Sequence, residues 1–322
     1  MIIDCHTHIF DSGVPGAAAN FPKWPGTRWG GGAPELLRQM DEAGIDRTIL
    51  ISYTPVDVMA HYPADVRADR LATFQHYLSR EYVIRTWHDH PDRFWWLPDS
   101  IDPRVPGYVE RATRDLDRGA VGLKLLPAFV DTAIDDPGWA PIFELLRAYR
   151  RPCTIDLSYW YLEFPWFAPS MHGRFPDYAS YAAGMHRVAE AYPAVQICLA
   201  HYGTPSLIDR GDDTREIHYD RLQGPIDLMK PHANLSCDLA AYQHVIRADD
   251  PYPYERALGI VRAMVEALGA DRVLWGTDFP YLGQKPYPEL IRSIKEAPFL
   301  KAGESALILG QNAWRIFSGR AA

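Results

Sequence analysis

Short apolar runs alternate along the chain with stretches whose apolar positions recur every third or fourth residue. The runs cover 2–5, 47–52, 93–99, 120–126, 152–157, 195–200, 233–238 and 272–277. They are aliphatic, rich in β-branched residues and mostly bounded by Gly, Pro or Asp, the pattern of buried parallel strands. Helical periodicity fills the gaps at about 34–43, 65–90, 104–118, 138–150, 177–192, 215–231, 253–268 and 286–296, and a last helix covers about 303–317. Pro34 stands at a first helical position and Gly44 just past that helix, where each residue type is favoured. Eight strands, each followed by a helix, predict a (β/α)8 barrel, read as one domain over 1–322. A doubly wound open sheet is the alternative. It usually carries a Gly-rich turn after its first strand. Here that place holds His6-Thr7-His8, and no GxGxxG follows any strand.

Two segments are longer than ordinary connections, 9–33 and 158–176. The second carries Tyr159, Trp160, Tyr161, Phe164, Trp166 and Phe167. Both follow strands, so a barrel places them over the C-terminal face, where such folds keep their sites. Pocket wall and subunit contact are equal readings of this aromatic content, and the second predicts a homodimer.

Composition narrows the partners. A chain that is 47% hydrophobic and 23% charged has the balance of a soluble globular protein. A net charge of −8 gives no basic face for nucleic acid or an anionic membrane. No apolar run approaches the roughly 20 residues of a membrane span. The chain opens directly on a strand and its histidines, which leads to an expectation of a cytoplasmic protein. The four cysteines, Cys5, Cys153, Cys198 and Cys237, form no CxxC pair and read as small buried apolar residues.

The chemistry gathers at strand ends. In a strand alternate side chains share a face, so His6 and His8 project together as half of a metal site. Strand four carries Lys124, strand five Asp156, strand six runs into His201 and Tyr202, strand seven ends at Asp238 and strand eight at Asp278. Ionisable groups in apolar strands are costly unless paired or coordinated, and six strands ending this way favour a site. Taken singly, Lys124 also reads as a salt-bridge partner, Asp238 as a cap or turn residue, and Asp278 as a loop cap. The nine other histidines fall in helical or loop stretches and read as surface or packing residues.

The chain resembles the amidohydrolase superfamily, in the amidohydrolase-related branch that includes aminocarboxymuconate-semialdehyde and hydroxybenzoate-type decarboxylases and several lactonases. The resemblance rests on Ile3-Asp4-Cys5-His6-Thr7-His8, Gly122-Leu-Lys124-Leu-Leu-Pro127, Leu199-Ala-His201-Tyr-Gly203, Arg272 to Pro280 with its Gly-Thr-Asp278, and Ile308 to Phe317. It implies one divalent metal, zinc by default, on His6, His8 and Asp278. Asp278 would also handle the proton of a metal-activated water, and His201 would contact substrate or metal. Where the family has a strand-five histidine ligand, this chain has Asp156. A carboxylate can still bind zinc, or move the preference toward manganese.

The reading that follows is a metal-dependent hydrolase of an amide or lactone carbonyl in a small carboxylated or aromatic molecule. His201, Lys124 or Arg28 would steady the oxyanion, and Lys124, Arg28, Tyr202 and Trp160 would bind substrate. Arg174, Tyr53 and Tyr281 lie in loops that could reach the same pocket. The alternative on the same scaffold is a non-oxidative decarboxylase of an aromatic or unsaturated acid. A third reading is a barrel without its metal that serves as a binding module.

Overall fold

A computed structural model of the chain describes residues 1–11, 31–52, 80–99, 102–157, 174–175, 177–203, 206–208, 216–240, 242–247, 249–280 and 285–319. The strands are β1 (Ile3–Thr7), β2 (Arg47–Ser52), β3 (Phe94–Pro98), β4 (Leu123–Leu125), β5 (Cys153–Ile155), β6 (Ile197–Leu199), β7 (Leu235–Asp238) and β8 (Val273–Leu274). The helices between and after them are α1 (Ala33–Ala43), α2 (Arg80–Asp89), α3 (Tyr108–Asp117), α4 (Ala140–Tyr149), α5 (Tyr178–Ala191), α6 (Gln223–Met229), α7 (Glu255–Leu268) and α8 (Tyr287–Lys295). The chain closes with α9 (Glu304–Ala306), a π-helical turn at Leu307–Gln311, and α10 (Asn312–Phe317).

All strand pairs are parallel. They run β1-β2-β3 in one arc and β4-β5-β6-β7-β8 in the other. Backbone hydrogen bonds bridge both seams. The Val121 N–H donates to the Trp96 carbonyl at 3.0 Å, joining the β3 and β4 sides. At the other seam Cys5 N–H donates to Trp275 O at 3.1 Å, Asp278 N–H to His6 O at 2.8 Å and His8 N–H to Phe279 O at 2.7 Å. The architecture is the (β/α)8 barrel of the alternating pattern.

Local chemistry sets the ends of the elements. Gly44 closes α1 in the left-handed region at φ 68°, open to glycine without steric cost. Asp177 accepts the Ser180 N–H at 2.7 Å and caps α5. The sixth helix is shorter than its periodicity suggests, Gln223–Met229 within the expected 215–231. Pro225 has no N–H and is tolerated only in a first turn, so the helix starts just before it. The expected helix over 65–90 is described only as Arg80–Asp89; its earlier part lies outside the described residues.

One irregularity re-aims the first strand. Asp4 pairs with Thr48 and Thr7 with Leu50, so three steps on β1 face two on β2. This is a β-bulge, which adds one residue and shifts the alternation of faces. Ile3 and Cys5 belong to the inner apolar cluster with Ile49, Ile51, Leu97, Cys198 and Leu274. After the bulge His6 also meets inward-facing groups, Lys124 on β4 and Asp238 on β7.

The inner cluster is plugged from the strand-start side by Ala313, Ile316 and Phe317 of α10. The larger cluster lies between strands and helices, with Leu36, Met40, Trp96, Phe143, Leu146 and Met264 fully buried. All four cysteines are buried free thiols, and burial pushes each of them up from the usual thiol range. Phe317→Ala should cost about 3–5 kcal/mol, because the fully buried ring leaves a cavity that the closed barrel cannot collapse. Urea unfolding measures this, and a loss below about 1 kcal/mol would contradict the plug.

Candidate metal centre

The seam between β1 and the end of β8 brings three donors together. His6 Nε2 lies 3.7 Å and His8 Nε2 3.4 Å from Asp278 Oδ1. Ligand atoms of His6, His8 and Asp278 all fall within 4.8 Å of one another. A second trio, His6, His201 and Asp238, meets the same spacing. Its members are already committed to each other. His6 Nδ1 lies 3.0 Å from Asp238 Oδ2, and Asp238 Oδ1 accepts the N–H groups of His201 at 2.8 Å and Ala240 at 3.0 Å.

These bonds fix the tautomer. Asp238 acts as acceptor, so His6 Nδ1 carries the proton and Nε2 presents its lone pair to the pocket. A carboxylate behind an imidazole is the usual outer support of a metal-binding histidine. Burial lowers the His6 imidazole well below its ordinary value, with help from Lys124 and His201. Burial also lowers His8, against the pull of Asp278. Neutral imidazoles are the ligating form. Burial alone would raise the Asp278 carboxyl, but the His8 hydrogen bond and the His201 and His6 rings outweigh it and hold the group below the usual carboxylate range. Two imidazole nitrogens and an ionised carboxylate match a three-ligand catalytic zinc site with an open position. The residues fit a divalent ion.

The backbone at this seam is held by Asp4. Its Oδ1 accepts the His6 N–H at 3.2 Å and the Thr277 N–H at 3.0 Å, and its Oδ2 accepts the Thr277 hydroxyl at 2.6 Å. The Thr277 hydroxyl oxygen in turn accepts the Phe279 N–H at 3.1 Å. Burial pushes the Asp4 carboxyl up to about 7, with the Thr277 and His6 donors pulling it back. One side chain thus ties the backbone of His6 on β1 to Thr277, the residue before Asp278. Asp278 itself sits at φ 56°, a left-handed conformation uncommon outside glycine. His201 and Tyr202 share that region, at φ 52° and 49°, where the chain leaves β6.

The Amidohydro_2 family model, described as amidohydrolase, matches residues 3–319. The chain belongs to the amidohydrolase family. Comparison with curated proteins gives no match. Solved structures share the barrel. A zinc-bound amidohydrolase from Burkholderia multivorans is 17% identical, covers 99% of each chain and has a TM-score of 0.64. 5-Carboxyvanillate decarboxylase from Sphingomonas paucimobilis is 19% identical over 98% of each chain, with a TM-score of 0.59. A probable 2-pyrone-4,6-dicarboxylic acid hydrolase from Acinetobacter baumannii, with citric acid bound, is 14% identical, covers 98% of this chain and 99% of its own, and has a TM-score of 0.62. At such identities the likeness shows the fold alone, a barrel shared by a decarboxylase and a probable hydrolase. No described helix is long and apolar enough to cross a membrane.

The other expected site residues of this amidohydrolase divide into three groups. Lys124, His201 and Asp156 surround the trio. Lys124 Nζ lies 3.2 Å from His6 Nε2, the His201 ring centroid 4.7 Å from that of His6, and Asp156 Oδ2 3.7 Å from His201 Nε2. Asp156, expected as a ligand, belongs to neither trio and faces His201, whose Nδ1 lies 3.1 Å from the Ala240 carbonyl. Tyr202 is buried beside them, whereas Arg174 is exposed and stacks on Phe175 at 5.3 Å. Arg28, Tyr53, Trp160 and Tyr281 lie outside the described residues. Among the remaining histidines, His186 and His232 pair with each other through ring nitrogens 2.9 Å apart. Sequence reasoning assigned no role to Asp4 or Thr277, although both stand inside the quoted motifs.

Thr277→Val keeps the shape but removes a donor to Asp4 and an acceptor for Phe279. It should lower stability by about 1–3 kcal/mol in urea unfolding, while Thr277→Ser stays near wild type. Equal stability of Thr277→Val and wild type would contradict the clamp.

Proposed function

We propose that this amidohydrolase is a metal-dependent hydrolase acting on an amide or lactone carbonyl of a small carboxylated or aromatic molecule. The observation that carries the reading is the partly exposed Asp278 carboxylate, set against the His6 and His8 Nε2 atoms at 3.7 and 3.4 Å. An ionised carboxylate at the pocket is a base for water. The decarboxylase alternative uses the same residues, with Asp278 or His201 delivering a proton to carbon, and the reaction assay below separates the two.

His6, His8 and Asp278 would hold the ion, which when bound polarises a carbonyl and lowers the pKa of water from about 15.7 toward about 7. Asp278 takes the proton of the attacking water and returns it to the leaving nitrogen or oxygen, as base and then acid. His201 and Lys124, on the neighbouring strand ends, face the same space and steady the charge that builds on the carbonyl oxygen. Asp238 and Asp4 touch no substrate in this scheme. They keep the His6 ring and the β1–β8 seam in place.

Two measurements test the reading. Purified wild type should carry near one equivalent of zinc or manganese by mass spectrometry, and His8→Ala should carry little. Against a panel of lactones, amides and aromatic acids, wild type should consume water with a lactone or amide, and Asp278→Asn should lose about 100-fold or more in kcat. Release of carbon dioxide from an aromatic acid, with no water consumed, would replace the hydrolase by the decarboxylase.

A further inference from the structure

Lys124 stands in an unusual place for a buried cation. Its side chain is only 1% exposed. Among the described residues its Nζ makes one hydrogen bond, to His6 Nε2 at 3.2 Å, and has no carboxylate oxygen within ion-pair distance. An ammonium carries three donors and no acceptor, so two of its N–H groups have no partner among the described residues. The bond it makes uses the lone pair that the Asp238 hydrogen bond leaves bare on His6.

That lone pair has room for one partner. A divalent ion on His6, His8 and Asp278 needs it, and the ion would also stand beside an ammonium of like charge. Resting on the metal-site reading above, we propose that Lys124 is a built-in competitor of the metal: its ammonium occupies the His6 Nε2 lone pair, and a divalent ion binds only as Lys124 moves off it. The pocket therefore holds one cation in either state. Without metal, Lys124 keeps His6 in the ligating tautomer and offsets the carboxylates around it. With metal, its N–H groups turn to the remaining space, where an anionic substrate group or the developing oxyanion can take them.

The test is metal affinity of the full chain stripped of metal, read by zinc and cobalt titration against a chelator of known affinity. Lys124→Met, of similar length without charge, should bind zinc at least about tenfold more tightly than wild type, because the like charge beside the ion is gone. Lys124→Gln serves if the methionine variant does not fold. His8→Ala should bind weakly. Equal affinity of wild type and the Lys124 variants, with loss in His8→Ala, would overturn the proposal and leave the metal site standing. Weaker binding in the Lys124 variants would make the lysine part of the ligand set and also overturn it. Absence of binding in wild type and in both Lys124 variants would remove the metal reading and the proposal together. A crystal structure of the zinc-loaded wild type gives an independent check. Lys124 Nζ should lie beyond hydrogen-bond reach of His6 Nε2, and its persistence there with zinc bound would contradict the competition.

Discussion

The Asp4 carboxylate accepts hydrogen bonds from β1 and from the end of β8 at once. Each residue it holds stands next to, or is, a donor of the metal trio: the backbone of His6 on one side and Thr277, directly before Asp278, on the other. The seam bonds His8 N–H to Phe279 O and Asp278 N–H to His6 O lock the same register. A one-residue slip here would turn the histidines to the wrong face of the barrel. The barrel closes at the point where its chemistry is assembled, so closure and site geometry depend on one set of bonds.

The electrostatics follow from that closure. Four carboxylates, Asp4, Asp156, Asp238 and Asp278, lie at or under the pocket with three imidazoles and one ammonium. Buried charges must be paired or strongly hydrogen-bonded to be tolerated. Asp4 and Asp238 meet that demand with backbone N–H groups, and burial raises both carboxyls. Asp278 meets it with imidazoles and stays low. Similar carboxyls around one seam are thus driven in opposite directions by their partners. Lys124 stands beside His6, whose imidazole burial pushes toward the neutral form.

Much of this was legible in the sequence, because a parallel barrel writes itself as alternation. The strands fall within the apolar runs, and β1 adds only His6 and Thr7 to its run. His6, His8, His201, Asp238 and Asp278 stand out as polar residues where apolar strands stop. What stayed hidden is pairing across long separations. Asp4 and Thr277 are 273 residues apart, and nothing in local pattern couples them. The bulge at Asp4–Thr7 is equally silent, since it is a mismatch between two strands and not a property of either. Asp156, expected as a ligand from its place at the end of β5, has its Oδ2 3.7 Å from His201 Nε2.

The central claim is that the β1–β8 seam builds a site for one divalent ion. Anomalous diffraction at the zinc edge from crystals of the zinc-loaded protein tests it most directly. The account predicts one strong peak within bonding distance of His6 Nε2, His8 Nε2 and an Asp278 oxygen, with Asp238 still on His6 Nδ1. A peak held instead by Asp156 and His201, or no peak at the seam in protein that binds zinc, would contradict it.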